Sequence, residues 1–304
     1  MYTVPMTLPR APWASAACAV LLLCAACKDS AKLPADSTAT PAPAASLRVS
    51  MIPTTDPGKA LRESQPLVDY LGKITSTKVA LTIPANYAAV VEALVNDQVD
   101  IAYLGGFTYV QASARAGVIP LVQRDRDQNF HSVFVTQPKS PIQGLADLKG
   151  HSFAFGDVNS TSGHLMPEYF LREANVDPEV ISKALYTGGH DATLLAVANG
   201  KVDAGVLDEA VFQRMTKGEP PKVDPASIRV FLTSPPFFDY VWVARKGLEP
   251  RIQQAFSEAM LKLSPANAAD KPVLDLLSAT RYLKAEDASY EKLRQVAKQS
   301  GLLK

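Results

Sequence analysis

Apolar and polar residues alternate with two different periods along most of the chain. Leu47–Ile52 follows the period of two that is typical of a strand, and a Pro/Asp/Gly turn then leads into a helical pattern from Lys59 to Ile74. Alternation of strands and helices predicts βαβ units and a largely parallel, doubly wound sheet. The other elements predicted in this half are a strand Val79–Ile83, a helix Tyr87–Asn96, a strand Val99–Leu104 and a helix Thr108–Ala116.

The same order of elements returns after Gly150, so the chain builds its unit twice. A length of 304 residues also favours two lobes over one core. The elements predicted in the second unit are a strand His151–Phe155, a helix Ser162–Ala174, a strand Lys183–Tyr186, a helix His190–Ala198 and a strand Val202–Leu207.

Two apolar strands far apart in sequence, Ser132–Thr136 and Tyr240–Ala244, suit a pair of hinge crossings. They predict that lobe 2, residues 131–244, is inserted within lobe 1, residues 47–130 and 245–304, with crossings near 131–137 and 239–245. The C-terminal segments Glu249–Leu263 and Pro272–Gln299 are predicted to be helical and to pack on lobe 1. Two lobes create a cleft between them.

The first 27 residues are typical of a targeting segment. Arg10 is the only charge before an apolar stretch, Ala14–Leu23, that is too short to span a bilayer comfortably. The ending Leu23-Cys24-Ala25-Ala26-Cys27 resembles a bacterial lipobox, which makes Cys27 the predicted lipidated first mature residue. Cys24 is unusual three positions before the acceptor, so ordinary cleavage elsewhere remains an alternative. Residues 28–46, rich in Ala, Pro, Ser and Thr, are predicted to form a flexible tether.

Composition excludes several classes of function. All three cysteines, Cys18, Cys24 and Cys27, lie in the targeting segment, so the folded part has no thiol nucleophile, thiolate metal site or disulfide. The formal net charge is +1 and the basic residues are scattered, which argues against nucleic acid as a partner. The four histidines show no metal-ligand spacing, so neither a metal site nor a cofactor is predicted.

A weak internal repeat relates the two units. Placing Tyr87 on His190 also sets Asn96 on Asn199, Asp100 on Asp203, Leu104 on Leu207 and Gly105 on Asp208. In open α/β sheets ligands bind beyond the carboxyl ends of the strands, beside the starts of the following helices. Tyr87, Tyr103, His190 and Asp208 are therefore expected to face one another across the cleft. The alternative is that the repeat reflects only shared βαβ architecture.

The loop after strand His151–Phe155 has the composition of an anion site. Its sequence Gly156-Asp157-Val158-Asn159-Ser160-Thr161-Ser162-Gly163 offers three consecutive hydroxyls at an open helix start, where backbone N–H groups favour negative charge. A plain helix cap is the alternative, but a cap needs one hydroxyl. With no Arg or Lys in the loop, neutral donors would hold the anion, which suits reversible binding.

Taken together, these motifs resemble the phosphate-, phosphite- and phosphonate-binding periplasmic components of ABC importers. The resemblance spans nearly everything after Leu47 and rests on Asn86-Tyr87-Ala88, Val99-Asp100-Ile101-Ala102-Tyr103-Leu104-Gly105, Asn159-Ser160-Thr161-Ser162-Gly163, Gly189-His190-Asp191-Ala192 and Asp239-Tyr240-Val241-Trp242. It implies a type II periplasmic-binding-protein fold, a small phosphorus oxyanion as ligand and an ABC permease as partner. A monomer attached to the membrane only through its N-terminal lipid is expected.

The resemblance also implies roles for individual residues. Ser160, Thr161, Ser162 and His190 would hold the phosphorus oxygens, with Tyr87 and Tyr103 contributing from the opposite lobe.

This chain departs from members that bind larger aminophosphonates. It has His131 where some carry Trp, and Leu207-Asp208-Glu209 where they have an Asn-rich stretch. These positions leave the organic substituent open. Asp208 and Asp239 are candidate acceptors for a protonated phosphorus oxygen or a ligand amino group, with solvated loop carboxylates as the alternative.

Two other functions share this fold. An enzyme related to the pyrimidine-precursor synthases of thiamin metabolism is disfavoured by the export signal and by the lack of a nucleophile or base dyad. A sensory lipoprotein that reports to a membrane kinase is compatible with the same sequence.

Overall fold

The computed structural model describes residues 46–178, 181 and 183–303. The predicted targeting segment, the predicted lipid acceptor Cys27 and all of the predicted tether except Ser46 lie outside these residues. In the part of the chain that is described, no helix is both long and apolar enough to cross a membrane.

The first sheet has six strands and forms what we call lobe 1. Its strands are β1 (Leu47–Met51), β2 (Val79–Thr82), β3 (Ile101–Leu104), β4 (Ile119–Arg124), β10 (Val241–Ala244) and β11 (Tyr282–Lys284), in the order β11-β4-β10-β3-β1-β2. Strand β1 runs parallel to β2 and β3, whereas β10 is antiparallel to β3 and β4. The helices of this lobe are α1 (Pro57–Glu63), α2 (Gln65–Thr75), α3 (Tyr87–Val95), α4 (Gly106–Ala116), α8 (Pro250–Lys262), α9 (Lys271–Leu276) and α10 (Glu291–Gln299).

The second sheet has five strands and forms lobe 2. Its strands are β5 (Ser132–Thr136), β6 (Ser152–Phe155), β7 (Lys183–Tyr186), β8 (Ala204–Asp208) and β9 (Arg229–Thr233), in the order β7-β6-β8-β5-β9. Strands β6, β7 and β8 are parallel, and β5 is antiparallel to both of its neighbours. The helices of this lobe are α5 (Met166–Glu173), α6 (His190–Ala198) and α7 (Glu209–Lys217).

Strand β5 shows why the sheet of lobe 2 is apolar on both faces. Val133 and Val135 belong to one buried cluster with Leu194, and Phe134 belongs to another with Phe153. Because successive side chains point to opposite faces of a strand, an unbroken apolar run indicates a sheet covered on both sides.

The two lobes are joined by segments on either side of an antiparallel bridge. Phe130 and Phe237 exchange backbone hydrogen bonds of 2.9 and 3.0 Å. The predicted boundary at the second crossing was wrong by one strand: β10, assigned to the end of lobe 2, pairs with β3 and β4 inside lobe 1. Strand β5, treated as the first crossing, lies within the sheet of lobe 2.

The internal repeat is visible in the hydrogen bonds of both lobes. The Asp100 carboxylate accepts from the Arg48 backbone N–H at 3.0 Å, and the Asp203 carboxylate accepts from the Ser152 backbone N–H at 2.8 Å. Asp100 directly precedes β3 and thus ties it to the start of β1. Asp203 directly precedes β8 and ties it to the start of β6. In the same way, the amides of Asn96 and Asn199 each donate to the carbonyl four residues earlier, at 2.8 Å.

Three local predictions were wrong. The single helix over Lys59–Ile74 is broken at Ser64, because Pro66 favours a new helix start. The continuous helix over Pro272–Gln299 is interrupted by β11, whose buried Tyr282 pairs with β4. Strand β4 was missed, and its Pro120 weakens the strand pattern.

Candidate anion-binding site

The loop between β6 and α5 forms a wide helical turn. The Leu165 N–H donates to the Ser160 carbonyl, five residues earlier, at 3.0 Å. This π-type turn covers Thr161–Leu165 and leads directly into α5. Such turns are rare, and they occur frequently at functional sites.

The three hydroxyls of the loop have three different environments. Ser160 Oγ accepts from the Gly163 N–H at 3.0 Å and so caps the turn. Thr161 Oγ1 accepts from the Phe107 N–H of lobe 1, also at 3.0 Å. Ser162 Oγ is buried and has no hydrogen-bond partner among the described residues. A plain cap therefore accounts for Ser160 alone.

His190 lies at the start of α6 with its ring fully buried. Its Nδ1 accepts from the Asp208 backbone N–H at 3.2 Å, which places the proton of the neutral ring on Nε2. Burial lowers the pKa of His190 and keeps the ring neutral. Nε2 lies 3.4 Å from the Tyr87 hydroxyl of lobe 1, so the predicted pair does meet across the cleft.

Gly163 makes room for the His190 ring, whereas a side chain at Gly156 would only make an ordinary contact with it. A Cβ at Gly163 would lie 2.9 Å from His190 Cε1 and 3.0 Å from Ser160 Oγ, closer than side chains tolerate. A Cβ at Gly156 would lie 3.5 Å from the same Cε1. The absence of a side chain at residue 163 therefore lets the histidine approach the loop backbone.

Asp239 brings a carboxyl group to the same place. Its Oδ1 accepts from the Gly106 N–H at the start of α4, at 3.0 Å. Its Oδ2 is buried with no partner among the described residues, and burial raises the pKa of Asp239 to about 7. A Cβ on Gly105 would lie 3.1 Å from Thr161 Oγ1 and 3.3 Å from Asp239 Oδ1, so glycine leaves space for both.

Asp208 is engaged within the protein. One carboxylate oxygen accepts from the Tyr240 hydroxyl at 2.6 Å, and the other accepts from the Val211 N–H at 2.8 Å and caps α7. Its backbone N–H orients His190. The structure thus places Asp208 beside the site, where it supports the histidine.

Two other predicted residues lie apart from the loop. Tyr103 stacks on Tyr240 with ring centroids 5.3 Å apart, and its buried hydroxyl has no partner among the described residues. His131 is partly exposed near the bridge between the lobes, where its Nδ1 donates to the Ser234 carbonyl at 2.7 Å. The structure brings Tyr87, Ser160, Thr161, His190 and Asp239 together, whereas His131 forms its hydrogen bond with Ser234.

Backbone groups that no sequence pattern indicated hold the lobes together at this site. The His190 N–H donates to the Thr54 carbonyl at 3.0 Å, and the Tyr87 N–H donates to the Asp157 carboxylate at 3.4 Å. These contacts define a closed cleft. Asp157 belongs to the loop that the sequence analysis identified, and its position just after strand β6 could have indicated that it faces the cleft. The Thr54 carbonyl leaves no such signal.

The chemistry of the site suits an anion held by neutral donors. Burial raises the pKa of Tyr87 well above that of an exposed phenol, so its hydroxyl stays protonated beside the His190 imidazole. No group of three His, Cys, Asp or Glu side chains in the described part of the chain is arranged to hold a metal ion.

The family profile of ABC transporter, phosphonate, periplasmic substrate-binding proteins matches residues 49–290. The chain belongs to this family. Membership implies a periplasmic location and a role as the substrate-binding component of a transporter, and it names a transport family rather than a family of enzymes.

Relatives in this family bear names that span several phosphorus compounds. The chain is 35% identical over 241 residues to a probable ABC transporter phosphite-binding protein, PhnD1 of Prochlorococcus marinus, covering 75% of this chain and 80% of that protein. It is 31% identical to the phosphate-import protein PhnD of Mycolicibacterium smegmatis, covering 79% and 78% of the two chains.

A solved structure confirms the predicted two-lobed type II fold. PhnD1 of Prochlorococcus marinus in complex with methylphosphonate matches with a TM-score of 0.79 and 32% identity, covering 84% of this chain and 98% of that one.

Proposed function

We propose that this protein captures a small phosphorus oxyanion in the cleft and delivers it to the permease of an ABC transporter. The observation that carries the proposal is the set of buried neutral donors at one point of the closed cleft. Ser162 Oγ has no partner among the described residues, and the Tyr87–His190 pair lies beside the same loop. Buried polar groups are normally hydrogen-bonded, so an unpaired donor in a cleft indicates a ligand.

The proposed roles follow the environment of each group. Ser162 Oγ, the Thr161 hydroxyl, the open turn after Ser160 and the Nε2 proton of His190 would donate to phosphorus oxygens from lobe 2. Tyr87 would donate from lobe 1. Asp239, with a free Oδ2 and a pKa raised by burial to about 7, would share a proton with one ligand oxygen.

The names of the relatives support this ligand class without selecting one compound. Phosphite, phosphate and methylphosphonate each occur with a related protein. All three share a tetrahedral phosphorus centre with several oxygens, which suits donors that converge from two lobes. The role given to each residue is part of this proposal.

Calorimetry with phosphite, phosphate, methylphosphonate, 2-aminoethylphosphonate and sulfate tests this proposal. Ser162→Ala and Thr161→Ala should each weaken binding of the preferred phosphorus compound by about tenfold to a hundredfold, because a hydrogen bond to a charged ligand contributes about 1.5–3 kcal/mol. Ser227→Ala, in an exposed turn of lobe 2, is the matched control and should bind like wild type. Undiminished affinity in both loop variants would reduce the loop to a helix cap.

The same proposal includes a lipid anchor at Cys27. The support for it is the short apolar segment that ends in Ala25-Ala26-Cys27. Cys27→Ser should release the protein from membranes or block its processing, as judged by fractionation and by the mass of the N-terminal peptide. An unchanged mass and unchanged membrane association would contradict the anchor.

A further inference from the structure

A buried histidine closes the loop that carries the three hydroxyls. His164 belongs to the π-type turn, two residues after Ser162, and its side chain is buried. Its Nδ1 lies 2.7 Å from the Val158 carbonyl, so the ring connects the end of the loop to its beginning. Phe155 and Tyr186 enclose the ring, with ring centroids 5.5 and 5.0 Å away. His164 is therefore placed to hold the loop backbone in one conformation.

Both ring nitrogens of His164 lie beside groups that accept a hydrogen bond. The Val158 carbonyl can only accept, so Nδ1 carries a proton. Nε2 lies 3.1 Å from a carboxylate oxygen of Glu168, which when ionised also can only accept. The Tyr186 hydroxyl, 3.0 Å from Nε2, offers a donor to a neutral ring instead. The ring that satisfies both acceptors is the protonated, positively charged imidazolium.

Glu168 is ionised in this arrangement. The hydrogen bond from His164 lowers the pKa of Glu168 to about 2 against the effect of burial, and Arg172, whose Nη2 lies 2.8 Å from the other carboxylate oxygen, adds to the fall. Burial raises the pKa of Tyr186, so its hydroxyl stays protonated. Histidine is the side chain that ordinarily changes its charge between pH 5 and 8. A change of charge among these groups near neutral pH therefore involves the histidine.

The other charged groups on the elements packed against the turn have partners of their own. Asp157 in the loop accepts from two backbone N–H groups, and Asp208 at the end of β8 accepts from a tyrosine hydroxyl and a backbone N–H. On α4, Arg115 pairs with Glu92 of α3. The carboxylate and the hydroxyl beside Nε2 therefore decide the charge of the ring.

A positive ring at this place suits the electrostatics of the site. The loop Gly156–Gly163 contains no Lys or Arg, and three buried aspartates lie in it or beside it, namely Asp157, Asp208 and Asp239. A bound anion adds negative charge, and charges interact strongly where water is excluded. The His164 imidazolium would offset part of this repulsion while it holds, through the Val158 carbonyl, the loop from which Ser162 donates.

We propose that His164 is a positioning residue of the anion loop that acts as an imidazolium, so that affinity for the anion falls when rising pH removes its proton. The inference deepens the proposed function and rests on it. Without that proton, Nε2 and the Glu168 carboxylate become two facing acceptors, and the contact that ties the ring to α5 is lost. The Val158 end of the loop then loses its support.

Nitrogen NMR of the histidine side chains tests the charge of the ring directly. In wild type at pH 6.5 both nitrogens of His164 should carry a proton, whereas His190 should carry one proton, on Nε2. His164→Asn, which keeps an N–H donor near the position of Nδ1, identifies the His164 signals by their loss. A neutral His164 ring at pH 6.5 would overturn the inference, and this result needs no variant to fold.

The pH dependence of affinity tests the effect on binding. Glu168→Gln removes the charge that favours the protonated ring, and Glu173→Gln, an exposed glutamate of the same helix, is the control. Calorimetry with phosphite and methylphosphonate from pH 5.5 to 8 gives each affinity as a ratio to wild type at the same pH, which cancels ionisation of the ligand and of Asp239. The ratio for Glu168→Gln should be near one at pH 5.5 and fall about threefold to tenfold by pH 7.5, while the control stays near one.

The outcomes distinguish this inference from the proposed function. His164→Asn should bind more weakly than wild type at pH 5.5 and approach wild type at pH 8, where both lack the charge. Ratios that are the same at every pH for both variants would show that the two side chains only stabilise the fold, and would overturn the inference alone. Failure of every phosphorus compound to bind wild type at any pH would overturn the proposed function as well.

Discussion

The two copies of the internal repeat share a framework and differ in chemistry. In both lobes an aspartate at the strand start ties down a neighbouring strand, and an asparagine closes the preceding helix in the same way. The positions that face the cleft differ. Lobe 1 presents Tyr87 and Gly105 where lobe 2 presents His190 and Asp208.

The difference shows how a repeated fold becomes a site with two kinds of donor. Tyr87 is a phenol that stays protonated, whereas His190 donates only because the Asp208 backbone N–H occupies its other nitrogen. At the strand ends, Gly105 leaves open the space that Asp239 and Thr161 enter. Equivalent positions with the same residue type therefore stabilise the shared fold. Equivalent positions with different residue types give the site its chemistry.

Among the changes that test this comparison, removing the His190 side chain should have the largest effect on ligand affinity. His190→Ala should weaken binding of the phosphorus ligand by about a hundredfold, because it deletes a donor and leaves the Asp208 N–H and the Tyr87 hydroxyl without their partner. His190→Gln, which keeps an amide donor of similar reach, should recover part of the affinity. Calorimetry gives the affinities.

Small-angle scattering provides the control for His190→Ala. Wild type should become more compact with ligand, and the variant should do so only at higher ligand concentration. If both His190 variants bound and closed like wild type, the equivalence of Tyr87 and His190 would be a property of the scaffold alone.

The shared aspartates should differ in their contribution to stability. Two arginines, Arg48 and Arg245, outweigh the burial of Asp100 and lower its pKa to about 2. This stabilisation is present above the unfolded pKa near 4 and is lost as the pH falls toward 2. Asp100→Asn should therefore lower the free energy of unfolding by about 2 kcal/mol at pH 7.

Asp203→Asn is the matched variant in lobe 2. Asp203 is half exposed and bonds mainly to Ser152, so its loss should be smaller than that of Asp100→Asn. Urea denaturation at pH 7 and at pH 3 measures both variants. The two variants could lose equal free energies of unfolding, or the loss for Asp100→Asn could be unchanged at pH 3. Either result would contradict a special contribution of the arginines to the stability provided by Asp100.

The smallest expected effect is a change in pH dependence at Asp239. Burial raises its pKa to about 7, Asp208 and Asp127 add to the rise, and the Gly106 N–H and Thr161 hydroxyl oppose it. A bound anion should retain the proton, so affinity should fall above pH 7 by up to about tenfold per pH unit.

Asp239→Asn separates this effect from ionisation of the ligand, which is common to both proteins. The variant should show a flatter fall in affinity between pH 7 and pH 8.5 than wild type. It should also be at least as stable at pH 8, because a carboxyl with a raised pKa costs stability once it ionises. Parallel pH profiles for the two proteins would contradict proton sharing at Asp239.

Much of the fold was predictable because it follows local periodicity. The strands Ser132–Thr136 and Lys183–Tyr186 and the helix His190–Ala198 were predicted with the bounds that the structure shows. Strands β4, β9 and β11 were not: Pro120 weakens the pattern of β4, and β9 and β11 are edge strands that are defined by pairing with one neighbour rather than by a buried apolar pattern. The position of β10 likewise depends on pairing with β3 and β4, which are distant in sequence.

The candidate site was predictable where it depends on residue type at a helix start. Tyr87, His190 and the Ser160–Ser162 hydroxyls follow from the repeat and from the loop composition. The closeness of Gly163 to the His190 ring and the use of the Thr54 carbonyl could not be predicted, because both depend on how the lobes meet. His131 was included because it stands where some relatives carry Trp, and in the structure its ring donates to the Ser234 carbonyl near the bridge.

The reciprocal backbone contacts across the cleft should affect the rate at which a ligand dissociates. The first N–H of α6 donates to lobe 1, and the first N–H of α3 donates to lobe 2, directly beside the candidate anion-binding site. A bound ligand cannot leave until both bonds break, so dissociation waits for the opening of the whole cleft. Differences in affinity among ligands should therefore appear mainly as differences in residence time, and capture rates should vary much less.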